Sequence, residues 1–528
     1  MRPFLGRLGG YLPAAIALAL PVAFLPAAED SFILPRASIV IIGACLGAGL
    51  ALIVPSVVRL ETMRWPLAAA GAAAFLAFVF SISWPLSFSG SYTRYESLPM
   101  RIAYLGLFAG AVWLMRSKRQ RDWVVAALVF GTGVACLEAL LQWAEQVPYR
   151  PDGNLGNANL LGALIAMAFP LAVMRGLRGD RFTVAWWMAV AVLIGGLFAT
   201  TSRSGALGAV SGCLVLIVLG FRSRRRVVVS ALAAGGVLAA ALWAIVAGPL
   251  SQLNGDPAQS RLQLWPDALH MIAARPLTGW GEDATGLVLG RFVTGNWAPG
   301  VTYDRTHSGI LEIGATQGVI GLVAISLILV VLFRAVYRYR FSDSVAALGG
   351  ACVGYSISVL FNFDWAPATG AFWLVAGTLW SAVRSVQADQ VAPATTPAPT
   401  AGVPAAWRSV AAIVMALAAL VLGALPVLAD IWYLQGRAEL AVRIDPLQAR
   451  YHWALGQGLV ARGSAAQGVE EMRHAAALGE SDPGLYVELG DAEAQLGRIA
   501  DARRDYRRAL EIDAYYAPAS QRLAAMGS

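Results

Sequence analysis

The sequence predicts an all-α, polytopic membrane protein with about thirteen transmembrane helices, one large loop outside the membrane and a soluble helical domain at the C-terminal end. Composition is the first observation: the 528 residues are 58% hydrophobic and only 14% charged, with a mean hydropathy of +0.61. Because soluble domains are about 25% charged, most of this chain must lie in lipid. Recurring apolar stretches and a repeat in the more polar C-terminal part complete the prediction.

The apolar stretches supply the transmembrane helices. A helix needs ~20 predominantly apolar residues to cross a bilayer, and about thirteen stretches satisfy that requirement. They cover residues 10–28, 37–57, 66–84, 100–115, 123–144, 158–174, 183–200, 205–221, 227–248, 308–333, 345–363, 366–383 and 408–429. The first is not predicted to be a cleavable signal peptide, because it lacks a clear small-residue cleavage site and further spans follow it.

Arginine-rich connections predict the orientation. Short cytoplasmic loops carry an excess of Lys and Arg, and alternate connections of this chain do so. These connections contain Arg59 and Arg64, residues 116–121, Arg175, Arg178 and Arg181, residues 222–226, and Arg334, Arg338 and Arg340. Together with Arg2 and Arg7, they predict a cytoplasmic N-terminus, and an odd number of spans then places the C-terminal region on the outer face.

Charge and cysteine usage argue against other classes of protein. The net charge of +8 is concentrated in short loops between apolar stretches, so it indicates orientation rather than nucleic-acid binding. The four cysteines are far apart inside apolar stretches and lack metal-ligand spacing: Cys45, Cys136, Cys213 and Cys352. They are predicted to be small core residues.

Four regions follow from this organisation. Residues 1–387 form the predicted membrane domain, and 388–407 form a Pro- and Ala-rich linker with little ability to bury anything. Residues 408–429 are the last predicted transmembrane helix. Residues 430–528 have the composition of an ordinary globular domain.

The C-terminal domain repeats with a period of 34 residues. Leu455-Gly456 recurs as Leu489-Gly490. Small residues at such positions let two antiparallel helices approach each other. The pattern resembles the tetratricopeptide repeat, which has the same length and whose curved surface usually binds a protein partner. The alternative is a capping or stability module without a ligand.

Polar motifs gather at the predicted outer face, where residues 249–307 form the only long extramembrane stretch among the spans. The motifs, in chain order, are Gly156-Asn157-Ala158-Asn159, Thr200-Thr201-Ser202-Arg203-Ser204-Gly205, Ser260-Arg261-Leu262-Gln263-Leu264-Trp265, Arg275-Pro276-Leu277-Thr278-Gly279-Trp280-Gly281 and Asp304-Arg305-Thr306-His307. In this order and spacing they resemble the O-antigen ligase and polymerase superfamily of bacterial membrane glycosyltransferases, in particular members with a C-terminal tetratricopeptide region. The resemblance covers roughly residues 150–325.

The resemblance implies an enzyme that takes a glycan from an undecaprenyl-diphosphate carrier and transfers it to an acceptor hydroxyl, with inversion and without a metal or cofactor. His307 would be the base, since its ordinary pKa of about 6.5 suits proton transfer near neutral pH. Arg203 and Arg261 would hold the diphosphate, because guanidinium groups stay charged and bind phosphate oxygens in a bidentate fork. The predicted substrate-binding residues are Arg305, Asn157, Asn159, Arg275 and Trp280.

Several alternatives stay open at this point. The acceptor could be a lipid A core sugar (a ligase), the end of a growing glycan (a polymerase) or a protein Ser or Thr (an O-oligosaccharyltransferase). Each selected residue also has a structural alternative, such as an interfacial anchor or a helix cap, and Glu138 and Glu312 receive no role. A different class is a non-enzymatic scaffold or transporter that displays the repeats. The resemblance implies a location in the bacterial inner membrane with the repeats in the periplasm.

Overall fold

The computed structural model describes residues 9–54, 60–220, 223–246, 257–390 and 405–526, and every regular element in these ranges is helical. The all-α fold class is therefore confirmed. Several sequence predictions lie outside the described residues: the orientation signals Arg2, Arg7, Arg59 and Arg222, and most of the predicted linker 388–407.

The described chain first forms the helices that precede the outer loop. They are α1 Leu12–Val22, α2 Ile33–Ile53, α3 Arg64–Val79, α4 Trp84–Ser89, α5 Leu98–Leu114, α6 Lys118–Ala144, α7 Ala158–Gly176, α8 Thr183–Thr200, α9 Arg203–Val215 and α10 Arg224–Val246. A 3₁₀ turn, Glu61–Met63, leads into α3, and a π-helical segment, Leu216–Gly220, extends α9.

The outer loop and the remaining membrane helices follow. The helices are α11 Pro257–Ala274, α12 Gly309–Arg338, α13 Asp343–Val359, α14 Ala366–Gln390, α15 Ala405–Ala418 and α16 Leu425–Leu434. Helix α11 and two 3₁₀ turns, Ala284–Leu287 and Leu289–Arg291, belong to the predicted outer loop. A π-helical segment, Ala419–Ala424, joins α15 to α16 into one long helix.

Nine helices of the described ranges are long and apolar enough to cross a membrane. They are Ile33–Ile53, Glu61–Val79, Lys118–Ala144, Ala158–Gly176, Thr183–Thr200, Arg203–Gly220, Arg224–Trp243, Gly309–Arg338 and Ala406–Leu434. The other predicted spans fall on the shorter apolar helices α1, α5 and α13 and on α14. The polytopic architecture is thus confirmed, and the count of thirteen spans stays a prediction.

The C-terminal part consists of antiparallel helix hairpins. Its helices are α17 Ala438–Ile444, α18 Ala449–Ala461, α19 Ala465–Leu478, α20 Pro483–Gln495, α21 Ile499–Ile512 and α22 Ala517–Ala525. Helix α18 pairs with α19, and α20 pairs with α21. The helices of the second pair begin and end 34 residues after those of the first, which matches the period in the sequence. Assignment of these hairpins to the tetratricopeptide family stays a prediction.

Helix α7 forms the centre of the membrane domain. It is buried along almost its whole length and packs against α8, α9 and α13. Glycines allow the close approach of α9: a Cβ on Gly205 would lie 2.6 Å from the Cα of Gly162 on α7, and one on Gly212 would lie 2.7 Å from the carbonyl oxygen of Gly350 on α13. This packing places the start of α9, which carries Arg203, beside the start of α7.

A break in α12 ties the outer loop to the membrane helices. Gly318 has a left-handed φ of 65° inside the helix. The backbone groups freed there pair with the outer loop, since Val319 N–H donates to the Pro276 carbonyl at 2.7 Å and Trp280 N–H donates to the Ala315 carbonyl at 2.8 Å. Gly318 and Gly279 both sit too close to the opposing backbone for a Cβ to fit. Unpaired backbone groups are costly in lipid, so this pairing makes the break tolerable.

The hairpin domain packs on the same outer loop. Arg291 forms an ion pair with Glu511 at 3.1 Å, and the Thr302 hydroxyl donates to Asp513 at 2.8 Å. Between these contacts, Gly290 lies directly against the backbone of α21, where a side chain would have no room. Asp430 joins the last helix to the hairpin domain and to the segment between α4 and α5. It accepts hydrogen bonds from the Tyr92 hydroxyl at 2.8 Å and the Tyr451 hydroxyl at 3.0 Å.

The glycine contacts of α9 yield a test of the packing. We expect Gly205→Val to lower the free energy of unfolding by about 1–3 kcal/mol more than Gly235→Val does, because overpacking forces the α7 and α9 backbones apart. Gly235 on α10 has no atom within 4 Å of its Cβ position, so it controls for the change in helix propensity. Thermal unfolding in detergent measures both variants. Equal melting of the two would contradict the predicted close contact.

Candidate functional site

His307 lies at the outer end of the membrane domain, immediately before α12. Its backbone is left-handed, with φ of 54°, which is unusual for a residue other than glycine. The imidazole packs edge-on against the rings of Tyr303 at 6.2 Å and Phe363 at 5.3 Å between centroids. Its Nδ1 atom is buried without a hydrogen-bond partner. Ring packing therefore holds the imidazole, without a hydrogen bond to Nδ1.

The surroundings of His307 favour its neutral form. Burial, the largest cause, and the positive charges of Arg261, Arg94 and Arg305 together lower the pKa of His307 to about 4, while Asp304 opposes them. Arg305 thus favours the neutral imidazole, but burial and Arg261 have larger effects on the pKa. At neutral pH the imidazole is therefore uncharged.

Three arginines form a cationic cluster next to His307. Arg150 lies in the segment before α7, Arg203 begins α9 and Arg261 lies on α11. Burial, the largest cause, and the nearby charges of Arg261 and Arg203 together lower the pKa of Arg150 to about 10. Arg261 also acts on the pKa of His307, so its guanidinium lies near both Arg150 and His307. We call Arg150, Arg203 and Arg261 the arginine cluster; like charges brought this close favour a bound anion.

Polar residues of two adjacent helix starts position the cluster. The Asn157 side chain caps α7 by accepting from Asn159 N–H at 2.8 Å, and Ser202 caps α9 by accepting from Gly205 N–H at 3.3 Å. The side-chain Oδ1 atom of Asn159 accepts hydrogen bonds from both the Ser202 hydroxyl and the Arg150 guanidinium, each at 3.3 Å. Arg150 also donates to the carbonyl of Thr200 at 2.8 Å. The two helix starts therefore present backbone N–H groups beside the arginines, an arrangement that suits anions.

A buried ionic network fixes the outer loop above α5 and α14. Arg101 pairs with Glu282 at 3.0 Å, with Glu96 at 3.5 Å and, at closer range, with Asp364. Glu282 also accepts from Gln317 on α12 at 2.6 Å. Glu96 and Glu282 are fully buried, so the carboxylates depend on Arg101 for their charge balance.

A second part of the network holds the residues just before His307. Arg305 is 1% exposed and pairs with Asp283 and, at 3.9 Å, with Glu312. Glu312 accepts from both the backbone N–H and the hydroxyl of Thr306 at 2.9 Å, and from the Thr285 hydroxyl at 2.7 Å. Carboxylates therefore surround Arg305. Glu312 also holds Thr306, the residue immediately before His307, in place. Among the described residues no group of three or more His, Cys, Asp or Glu has an arrangement that could hold a metal ion.

Arg275 and Trp280 lie elsewhere in the outer loop. The Arg275 guanidinium stacks on the Trp280 ring at 5.1 Å, and the Trp280 indole donates to the Met271 carbonyl at 3.0 Å. Their segment is the one that pairs with the break at Gly318. The structure brings five of the predicted site residues together: Asn157, Asn159, Arg203, Arg261 and His307. Arg305 lies just behind them. The segment of Arg275 and Trp280 instead docks the outer loop on α12.

Sequence reasoning missed two arginines of this site, Arg150 and Arg94. Arg94 donates to Asp304 at 2.7 Å, stacks on Phe363 at 4.7 Å and on Trp365 at 4.4 Å, and lowers the pKa of His307. A signal for both exists in the sequence. Each is an arginine in a connection predicted to face outward, where the rule for membrane orientation disfavours positive charge.

The network yields a stability prediction. We expect Glu312→Ala to lower the free energy of unfolding by about 3–5 kcal/mol, because Arg305 and the Thr306 N–H would lose a buried partner. Glu439→Ala removes one side of an exposed pair with Arg443 and should change stability by less than about 1 kcal/mol. Thermal unfolding in detergent compares the two. Near-equal losses would show that the network does not stabilise the outer loop.

Two comparisons with known proteins bear on this site. Residues 188–326, which include Arg203, Arg261 and His307, match the O-antigen ligase family. The chain is also 25% identical over 288 residues to an O-antigen ligase of Pseudomonas aeruginosa. That alignment covers 52% of this chain and 66% of the relative, so it spans just under two thirds of the relative's length. These matches confirm the resemblance to the O-antigen ligase and polymerase superfamily that the order of the motifs predicts.

Proposed function

We propose that this protein is a ligase-type glycosyltransferase that moves a glycan from an undecaprenyl-diphosphate carrier to an acceptor hydroxyl at the periplasmic face of the bacterial inner membrane. The observation that carries the proposal is the arginine cluster beside a neutral, buried imidazole. The match to the O-antigen ligase family over the same residues supports it. A scaffold or transporter has no use for this combination of groups.

The chemistry divides between the two parts of the site. The arginine cluster and the two helix starts would hold the diphosphate and neutralise the charge that grows as the glycosidic C–O bond to it breaks. His307 would accept the proton of the acceptor hydroxyl while that oxygen forms the new bond to the anomeric carbon. A single displacement of this kind inverts the anomeric centre. Because arginines carry the charge of the leaving group, the reaction needs no divalent metal.

Binding of the donor would also adjust the base. The low pKa of His307 arises from burial and from neighbouring arginines. A diphosphate bound at Arg261 would offset the second effect, and a negative charge near an imidazole raises its pKa. The site would thus hold a neutral imidazole before the donor binds and a stronger base afterwards.

An apolar cavity gives the carrier's hydrocarbon chain a place to lie. The cavity has a volume of about 260 Å³ and opens between α3, α5, α12, α13 and α14. Gly309 lines it two residues after His307, and Asp364 lines it beside Phe363. Its other walls are mainly apolar, as in Leu105, Ile313 and Phe372. We propose that the first isoprene units enter here.

The regions outside the site keep their predicted roles as proposals. Residues 1–387 would be the catalytic membrane domain and 388–407 the linker, followed by the last span, 408–429. Residues 430–528 would form a periplasmic, tetratricopeptide-like domain that contacts a protein partner with the surface not used against the outer loop. For the acceptor we propose a lipid A core sugar, which the match to the O-antigen ligase family supports. Gene deletion tests it, because loss of polymer from lipopolysaccharide supports the ligase, whereas loss from a free polysaccharide or a glycoprotein supports a polymerase or an O-oligosaccharyltransferase.

Substitutions in the site test the proposed roles. We expect His307→Ala and Arg203→Ala to lower kcat by about 10²–10³-fold, the range for loss of a general base or of a charge-stabilising group. Arg203→Lys should recover only part of the activity, since lysine lacks the bidentate fork. Arg150→Ala should resemble Arg203→Ala, although Arg150 belongs to none of the sequence motifs. Glycan transfer with purified, correctly inserted protein is the assay.

Arg443→Ala, an exposed arginine of the hairpin domain, is the matched control and should keep full activity. Retention of activity by both His307→Ala and Arg203→Ala would exclude the proposed mechanism.

The pKa of His307 gives a pH prediction. Since the imidazole of the free protein stays neutral down to about pH 4, kcat/KM should not fall as the pH is lowered from 7 to 5.5. An unperturbed histidine would lose activity near pH 6.5. In Arg261→Ala the loss should move toward that higher pH, because one of the charges that lower the pKa is gone. A wild-type loss centred near pH 6.5 would contradict the assigned environment of His307.

A further inference from the structure

A second cavity lies away from the arginine cluster, where the last transmembrane helix meets the hairpin domain. Its volume is about 250 Å³. Leu34, Ala37 and Ile41 of α2 form one wall of its lower part, and Leu422 and Pro426 of the last helix form the other. Polar residues of the segment between α4 and α5 and of the hairpin domain line the upper part. We call this cavity the junction cleft.

The mouth of the junction cleft is apolar. Phe88 is 36% exposed, Leu447 is 39% exposed and Val421 is 52% exposed, and all three line the cleft. Below the mouth, both walls belong to helices that cross the membrane by length and composition. A mouth of this kind opens toward hydrocarbon rather than toward water.

Tyr95, which lines the upper part of the cleft, has an unsatisfied hydroxyl. Tyr95 is 7% exposed, and its hydroxyl group has no hydrogen-bond partner. Its backbone is left-handed, with φ of 57°, an uncommon conformation for a bulky side chain. Burial of a hydroxyl without a partner is destabilising, so a ligand that supplies an acceptor oxygen would be favoured.

The charge in the cleft is negative. Asp445 lines it, and burial raises the pKa of this carboxyl to about 6, so it is still mostly ionised at neutral pH. Asp430 lies behind the wall, bonded to Tyr451 and Tyr92. Of the residues that line the cleft in the described chain, none is Lys or Arg. The cleft therefore disfavours a lipid with a net negative charge and suits one that carries an ammonium group, the opposite of the arginine cluster.

We propose that the junction cleft binds an amine-bearing phospholipid of the surrounding bilayer. An acyl chain occupies the lower part between α2 and the last helix. An ester or phosphate oxygen accepts the hydrogen of the Tyr95 hydroxyl, and the ammonium group pairs with Asp445. The lipid then fills the junction between the membrane domain and the hairpin domain. This site is separate from the proposed transferase site and does not depend on it.

Lipid retention tests the proposal directly. The delipidated full chain is placed in nanodiscs of phosphatidylglycerol alone or of equal parts phosphatidylglycerol and phosphatidylethanolamine. Native mass spectrometry of the released protein then counts retained lipids. We expect phosphatidylethanolamine to be retained selectively and to raise the melting temperature.

Matched variants locate the bound lipid. Tyr95→Phe removes only the hydroxyl, and Asp445→Asn removes only the charge. Each should weaken retention of phosphatidylethanolamine by about fivefold, as expected for one lost hydrogen bond or ion pair. The controls lie in the hairpin domain outside the cleft: Tyr515→Phe at an exposed position and Asp501→Asn at a half-buried one. Both should retain the lipid as the wild type does.

Two outcomes would overturn the proposal: equal retention of the two lipids by the wild type, or unchanged retention of phosphatidylethanolamine in Tyr95→Phe. Melting in phosphatidylglycerol alone shows whether a variant is folded. If Asp445→Asn is not, Tyr95→Phe, the more conservative change, decides the question.

Discussion

The structure depends on two consecutive carboxylates, Glu282 and Asp283, each paired with a buried arginine. Glu282 binds Arg101 of the membrane domain, and Asp283 binds Arg305 next to the imidazole. One dipeptide thus holds the outer loop on α5 and, through Arg305, orients the segment that leads into α12. Buried charges need such partners, because removing each charged group from water costs roughly several kcal/mol. The loop therefore has one low-energy position, and the candidate site is built on it.

The arginines of the outer face fall into two groups with different surroundings. Arg94, Arg101 and Arg305 face carboxylates and serve the architecture. Arg150 is influenced by the charges of Arg203 and Arg261 instead, so positive charge accumulates there. Arginine thus occurs both in the ion pairs that hold the structure together and in the candidate anion site. The two groups differ in whether Asp or Glu residues lie beside the guanidinium.

Much of the fold was predictable because hydropathy is a local property. Each predicted span falls on a helix, and the repeat period reappears in the hairpins. The site was predictable only in part. Arg203 and His307 belong to motifs with a recognisable order, whereas Arg150 and Arg94 become visible only when distant segments meet. Arg275 and Trp280 belong to a distinctive motif that lies outside the arginine cluster. Their motif is distinctive because its glycine and backbone must fit the break at Gly318.

That break has a consequence for biosynthesis. The segment at 276–281 leaves the ribosome before its pairing partner at 315–320, so its backbone groups stay hydrated until the later helix has entered the bilayer. The two segments can pair only after both have been synthesised, and the kinked helix completes its hydrogen bonds at that point.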